Sequence, residues 1–262
     1  MVTMPTLYPD VNEVLNLLLA RANAVLGSQL IGMYLYGSLS SGDFDPASSD
    51  IDFVIVTETS LAQETIFELE KMHAKIRASG LKWAAKLEGS YIPKSLIRRQ
   101  DPLGQPCPTI TEGAFFIDRR GSDWIIQRHV IREYGVILSG PDPKTLIDPV
   151  SSDEIRQAVH SVLDEWWFPM LENPAWLSEH GSEYHAFAVI SMCRALHALR
   201  HGIIVSKPVA AKWAQNEFGS QWSSLIEKAL VSQVGNKTGF LGETLNFLRF
   251  TKERIESQIW EN

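Results

Sequence analysis

The chain has 262 residues, 45% of them hydrophobic, enough for one large domain or two small ones around buried cores. Its 24 basic and 31 acidic side chains leave a net charge of −7, which speaks against a nucleic-acid partner and its basic footprint, and permits a cationic small molecule. Cys107 and Cys193 stand far apart with no metal-ligand spacing, and no stretch has transmembrane length or a signal-peptide pattern, so a cytoplasmic protein with reduced thiols and no membrane contact is expected.

Asp10-Val11-Asn12-Glu13 reads as a helix start, with Asp10 as cap and Glu13 at the third position. Val11, Val14, Leu15, Leu18, Ala22 and Val25 form one face of that helix, and Gly27 ends it. Residues 30–35 and 53–56 are apolar runs of strand length, separated by the turn-rich stretch 39–49. A helix is expected over 61–79, with Ile66, Leu69, Met72 and Ile76 facing in and Gly80 after it. Residues 83–92 read as a third strand closed by Pro93, and 98–112 as a polar loop carrying Pro102, Pro106 and Pro108. Residues 115–117 suggest a short strand and 123–134 a helix, and Gly140-Pro141-Asp142-Pro143 breaks the chain. Pro149-Val150-Ser151 marks a domain boundary. Ser151 to Glu154 is a capping box, and the chain beyond it reads as helical. Over 183–201, Val189, Met192, Leu196 and Leu199 form a core stripe, with Arg194 on roughly the opposite side beside Ile190 and His197. Ser206-Lys207-Pro208 opens another helix with proline in its first turn, and a lysine at a helix start suits an anion. The expected fold is an α/β domain with a mixed sheet over residues 1–148, followed by an all-helical domain over 149–262.

The chemistry concentrates between the first two strands. The strand period of two puts Asp50 and Asp52 on one face, while Ile51, Phe53 and Ile55 point to a core. Two adjacent carboxylates repel unless a cation lies between them, and Mg²⁺ commonly binds through one or two carboxylates plus substrate phosphates. Gly37 lets backbone approach a phosphate, and Ser38 offers it a hydroxyl and an amide. The plainer alternative is a turn with two exposed aspartates. On the third strand, Lys86, Glu88 and Ser90 share a face. A carboxylate in an otherwise apolar strand is paired, functional or at a wet edge.

The pattern Leu35-Tyr36-Gly37-Ser38 followed by Ser49-Asp50-Ile51-Asp52 resembles the nucleotidyltransferase superfamily, and most of all the streptomycin/spectinomycin-type aminoglycoside O-adenylyltransferases. Lys86-Leu87-Glu88 is similar to that family's third-strand segment, and Arg194 with the stretch from Ile204 to Ala214 is similar to its helical domain. The resemblance implies that Asp50 and Asp52 hold Mg²⁺ on ATP, that Gly37, Ser38, Ser49, Arg194 and Lys207 bind the nucleotide, and that Glu88 is the general base, with a third metal ligand as its alternative role. It implies transfer of AMP to a hydroxyl of an aminoglycoside or aminocyclitol antibiotic, with release of pyrophosphate, by a monomer whose acceptor lies between the two domains. Gly181-Ser182-Glu183-Tyr184-His185 stands where the family has Gly-Asp-Glu-Arg-Asn; the resemblance is read as Tyr184, with Glu183 next to it, in place of the family aspartate that helps bind the drug. Glu88, Glu183, Tyr184 and Trp176 are the expected acceptor contacts, with shifted drug selectivity. Two other readings stay open: transfer to another hydroxylated metabolite or to a protein side chain, as in shorter antitoxin-like nucleotidyltransferases, and a non-catalytic nucleotide-binding module.

Overall fold

The structure is a computed structural model that describes residues 4–47, 49–99, 104–231 and 239–257. Ser48 and Pro102, members of two expected loops, lie outside the described residues. The chain divides into two compact units, Met1–Pro149 and Val150–Asn262.

In the first unit, α1 (Pro9–Leu26) leads into β1 (Leu30–Leu35). A one-turn helix α2 (Ser38–Ser41) and a loop then reach β2 (Ile51–Thr57). Next come α3 (Gln63–Arg77), β3 (Leu87–Pro93), α4 (Lys94–Arg98), β4 (Pro106–Thr111) and β5 (Ala114–Arg119). The unit finishes with α5 (Asp123–Tyr134), β6 (Val136–Ser139) and α6 (Pro143–Leu146). The strands form one mixed sheet in the order β5-β4-β3-β2-β1-β6, in which only β2 and β3 pair in parallel. Helix α3 supplies the crossover that a parallel pair needs.

Both faces of the central strands are covered, while the edge strand β5 is largely exposed. Val11, Leu15 and Leu18 of α1 and Leu69 and Ile76 of α3 pack on Leu35, Phe53, Ile55, Leu87 and Tyr91. Trp124 and Ile131 of α5 and Leu146 of α6 pack on Tyr34, Val54, Val56 and Ile92. Strand β2, buried on both sides, is therefore apolar from Phe53 to Val56, with Asp52 and the terminal Thr57 as its polar members.

Several expectations change. Helix α1 starts at Pro9, and its N-cap, Tyr8, makes no side-chain capping bond, so Asp10 is not the cap. The third strand begins at Leu87, because residues Ala84–Lys86 form a 3₁₀ turn that buries Trp83 and Ala84. Lys86 therefore precedes the strand. The expected loop over 98–112 contains β4. That strand pairs with β3 only at Gly89/Ile110 and Ser90/Thr109, so Pro106 and Pro108, which donate no bond, fall outside that ladder. Strand β6 was not expected; its four residues carry too short a pattern to read.

His73, on α3, is 3% exposed. Its Nε2 lies 2.8 Å from the Tyr91 hydroxyl, and its ring packs between Phe53 and Phe115. Burial pushes its pKa down to about 4. The folded state thus prefers neutral His73, and the stability this confers is fully present above the unfolded value of 6.5 and is lost as pH falls toward 4. The loss amounts to about 3 kcal/mol at most. Equilibrium urea unfolding of wild type and His73→Phe at pH 7.5 and 4.5 checks this: wild type should lose more stability between the two, and parallel losses would refute it.

The second unit holds α7 (Ser152–Val162), α8 (Ala175–His201), α9 (Lys207–Phe218), α10 (Ser220–Leu230) and α11 (Leu241–Glu256). Ser151 and Glu154 make the reciprocal capping box at the start of α7. Helix α8 packs against α7, α9, α10 and α11. It begins before the expected residue 183 and is interrupted at Gly181, whose φ of 74° and ψ of −158° lie outside helical space. Val189, Met192, Leu196 and Leu199 are buried as expected, but so are Ile190 and His197 on the side taken as opposite. The interruption is tied down by His185. The Phe240 amide donates to its Nδ1 at 3.0 Å, so Nε2 carries the proton and donates to the Leu177 carbonyl at 3.0 Å.

Candidate active site

The site of the first unit is built from the ends of β1, β2 and β3. The Tyr36 amide donates to the Asp52 carbonyl at 3.1 Å, which carries the β1/β2 pairing one step past the strand. The chain then turns at Gly37, with φ 61° and ψ −141°. A Cβ at Gly37 would run into the Asp52 carboxylate, so the absent side chain is what lets that carboxylate lie against the turn. Ser38 opens α2. Ser49 closes a tight loop: its hydroxyl accepts from the Asp45 amide at 2.9 Å, and its amide donates to the Asp45 carbonyl at 2.8 Å.

Asp50 sits just before β2, and its carboxylate meets the Lys86 ammonium at 2.9 Å. Asp52 is opposite Glu88 in the parallel register, so the two carboxylates share a sheet face on adjacent strands. This adjacency is non-local: 36 positions and a crossover helix separate the two residues in sequence. Glu88 is lifted above the ordinary glutamate value, first by burial and then by the Asp50 carboxylate. The Glu112 carboxylate adds to the lift, while the Glu112 amide, donating to Oε1 at 3.3 Å, and Lys86 oppose it. A carboxylate that is buried and held among like charges gains more by taking a proton, so Glu88 is a stronger base than a solvated glutamate.

Two neighbours were missed by sequence reasoning. Burial and the Asp52 carboxylate raise the Tyr36 hydroxyl far above its ordinary value, and Glu88 and Asp123 act in the same direction. Arg120 opposes them; it hydrogen-bonds the Thr109 hydroxyl and lies over the Trp124 ring. Tyr36 precedes Gly37 in the motif and was legible by position. Arg120 follows β5 and had no local signal.

The remaining expected residues belong to the second unit. Arg194 is half-buried on α8, and Lys207 is exposed at the first position of α9. Glu183 is exposed, and the Tyr184 ring meets Trp176 edge-on at 4.7 Å. Trp176 also contacts His180 and the half-exposed Trp166, so this is an aromatic cluster with an acidic neighbour. A π-helical turn over Leu163–Trp167 presents Trp166 and buries Trp167.

Among the described residues, no three His, Cys, Asp or Glu side chains gather to hold a metal by themselves. Two aspartates with phosphate oxygens completing the shell is the donor set suited to Mg²⁺. The Lys86 ammonium beside Asp50 marks a position that accepts positive charge. The residues fit the ion in that mode.

Comparison with known proteins covers both units. Residues 20–101 match the family described as nucleotidyltransferase domain, and residues 145–248 match the family described as aminoglycoside adenylyltransferase, C-terminal domain. The chain is 25% identical to a spectinomycin 9-adenylyltransferase of Campylobacter jejuni over 95% of this chain and 96% of that one. It is 26% identical to an aminoglycoside (3'') (9) adenylyltransferase of Escherichia coli over 88% of each. Its fold is similar to that of a spectinomycin adenyltransferase from Enterococcus faecialis solved with ATP and spectinomycin. The TM-score is 0.73 at 18% identity, covering 93% of this chain and 98% of that one. Among the described residues, no helix is long and apolar enough to cross a membrane.

Proposed function

We propose, from the premise that this chain belongs to the aminoglycoside adenylyltransferase family, that it transfers AMP from ATP to a hydroxyl of an aminoglycoside or aminocyclitol and releases pyrophosphate. The observation that carries this reading is the placement of Asp52 beside Glu88 on parallel strands, against the Gly37 turn.

Asp50 and Asp52 would hold Mg²⁺, which when bound neutralises charge on the phosphates. Glu88 takes the proton from the acceptor hydroxyl. That oxygen attacks the α-phosphorus, and the bond to pyrophosphate breaks. The Gly37–Ser38 turn and Ser49 bind phosphate, and Arg194 and Lys207 supply positive charge for the triphosphate. Glu88, Glu183, Tyr184 and Trp176 recognise the cationic acceptor through carboxylates and ring faces. The reading is of a cytoplasmic monomer, divided near residue 148, with no nucleic-acid partner.

Taken position by position, the family's aspartate falls on Ser182 and its arginine on Tyr184, and this loss of the aspartate together with the aromatic cluster around Tyr184 favours a selectivity shifted from streptomycin and spectinomycin. Pyrophosphate release from ATP over a panel of aminoglycosides and aminocyclitols, with products identified by mass spectrometry, tests the function. An adenylylated drug is the expected result. Pyrophosphate release with no drug in the panel modified would move the reading to another hydroxylated acceptor.

A further inference from the structure

We propose that Arg77 and the Glu112–Gly113 turn position the carboxylate of Glu88, so that Arg77 is a positioning residue for the base. The inference rests on the reading of Glu88 given above. Strands β4 and β5 are joined by two residues only, since Thr111 pairs with Ala114. Both linking residues have positive φ, 51° at Glu112 and 75° at Gly113. Such tight hairpin turns favour Asn, Asp or Gly at the first position. Glu112 is the single non-glycine residue with positive φ among the described residues, so the sequence places a costly residue there.

In a two-residue hairpin the closing bonds belong to the residues flanking the turn. The amide of the first turn residue has no partner within it. Here that amide, of Glu112, donates to Glu88 Oε1 at 3.3 Å. The other side of the turn is held from α3. Arg77 Nη1 donates to the Gly113 carbonyl at 3.2 Å, and its guanidinium lies across Gly113, where a Cβ would stand 2.9 Å from Cζ. Phe115, two residues on, packs against buried His73 of the same helix. A cavity of about 320 Å³ lined by Glu70, His73, Arg77, Gly113 and Phe115 opens between the helix and the hairpin, so the turn has room to shift once Arg77 is removed. Arg77 is exposed, and exposed polar contacts add little to global stability. Its effect therefore falls on the turn geometry and, through the Glu112 amide, on the base.

Arg77→Ala is expected to lower kcat about tenfold, below the roughly 10²-fold that a 1 Å misplacement can cause. Michaelis constants should stay within about twofold, and the thermal midpoint should hold. Glycine adopts positive φ without strain, so Glu112→Gly in the Arg77→Ala background should recover kcat, while Glu112→Gln, which removes only the charge, should not. Amide hydrogen exchange of the substrate-free protein gives a readout apart from activity: Glu112 should be protected in wild type and about tenfold less protected in Arg77→Ala. Unchanged kcat in Arg77→Ala, no recovery with glycine, or an unprotected Glu112 amide in wild type would each overturn the inference. Wild-type protein that modifies no acceptor would sink the proposed function instead, and exchange at Glu112 would still decide this one.

Discussion

Asp52→Asn should remove nearly all nucleotidyl transfer while leaving the protein folded. The side chain keeps its shape but loses the charge that, on the proposed reading, would hold Mg²⁺ against its own water shell. The loss should exceed the roughly 10²-fold that removal of a metal site's outer partner can cause. Asp50→Asn should behave alike and also break the ion pair with Lys86. Asp52 lies opposite Glu88 on the adjacent parallel strand, so neutralising it removes one of the acidic charges gathered at this end of the sheet. The thermal midpoint should therefore hold or rise as activity disappears, as when a group is kept for function against stability. Gly37→Ala reaches the same carboxylate by sterics, because the new Cβ collides with it and the backbone there needs positive φ. Steady-state turnover with a melting curve checks both. An Asp52→Asn protein with near wild-type turnover would remove the aspartate pair from the mechanism.

Glu88→Gln should keep ATP binding and lose transfer by about 10²–10⁴-fold, the usual cost of deleting a general base. Glutamine has the same length, and its carbonyl can still accept the Glu112 amide, so the local geometry should survive. It cannot take a proton at neutral pH. Calorimetric titration with ATP and Mg²⁺ beside a single-turnover assay separates the two effects. A fall in ATP affinity as large as the fall in transfer would make Glu88 a third metal ligand rather than the base. A variant that transfers at the wild-type rate would leave it neither.

Much of this site was legible in the sequence because its parts obey local rules. The period of two put Asp52 on one side of β2 and Ile51, Phe53 and Ile55 on the other, and the cores fall on those sides. The capping box at Ser151 and the break before it are likewise read from a few consecutive residues. What only the tertiary structure decided depends on pairing between distant segments. A strand pattern fixes which residues share a face but not which strand lies alongside or in what register. The adjacency of Asp52 and Glu88, the Lys86–Asp50 ion pair and the Glu112 amide on Glu88 follow from that register and from the hairpin. Strand β4 was hidden because its prolines signal a loop, and they are accommodated only because its ladder with β3 is short. Burial of His73 and the crowding that lifts Glu88 are properties of the packed environment, since the same side chains in an unfolded chain face water.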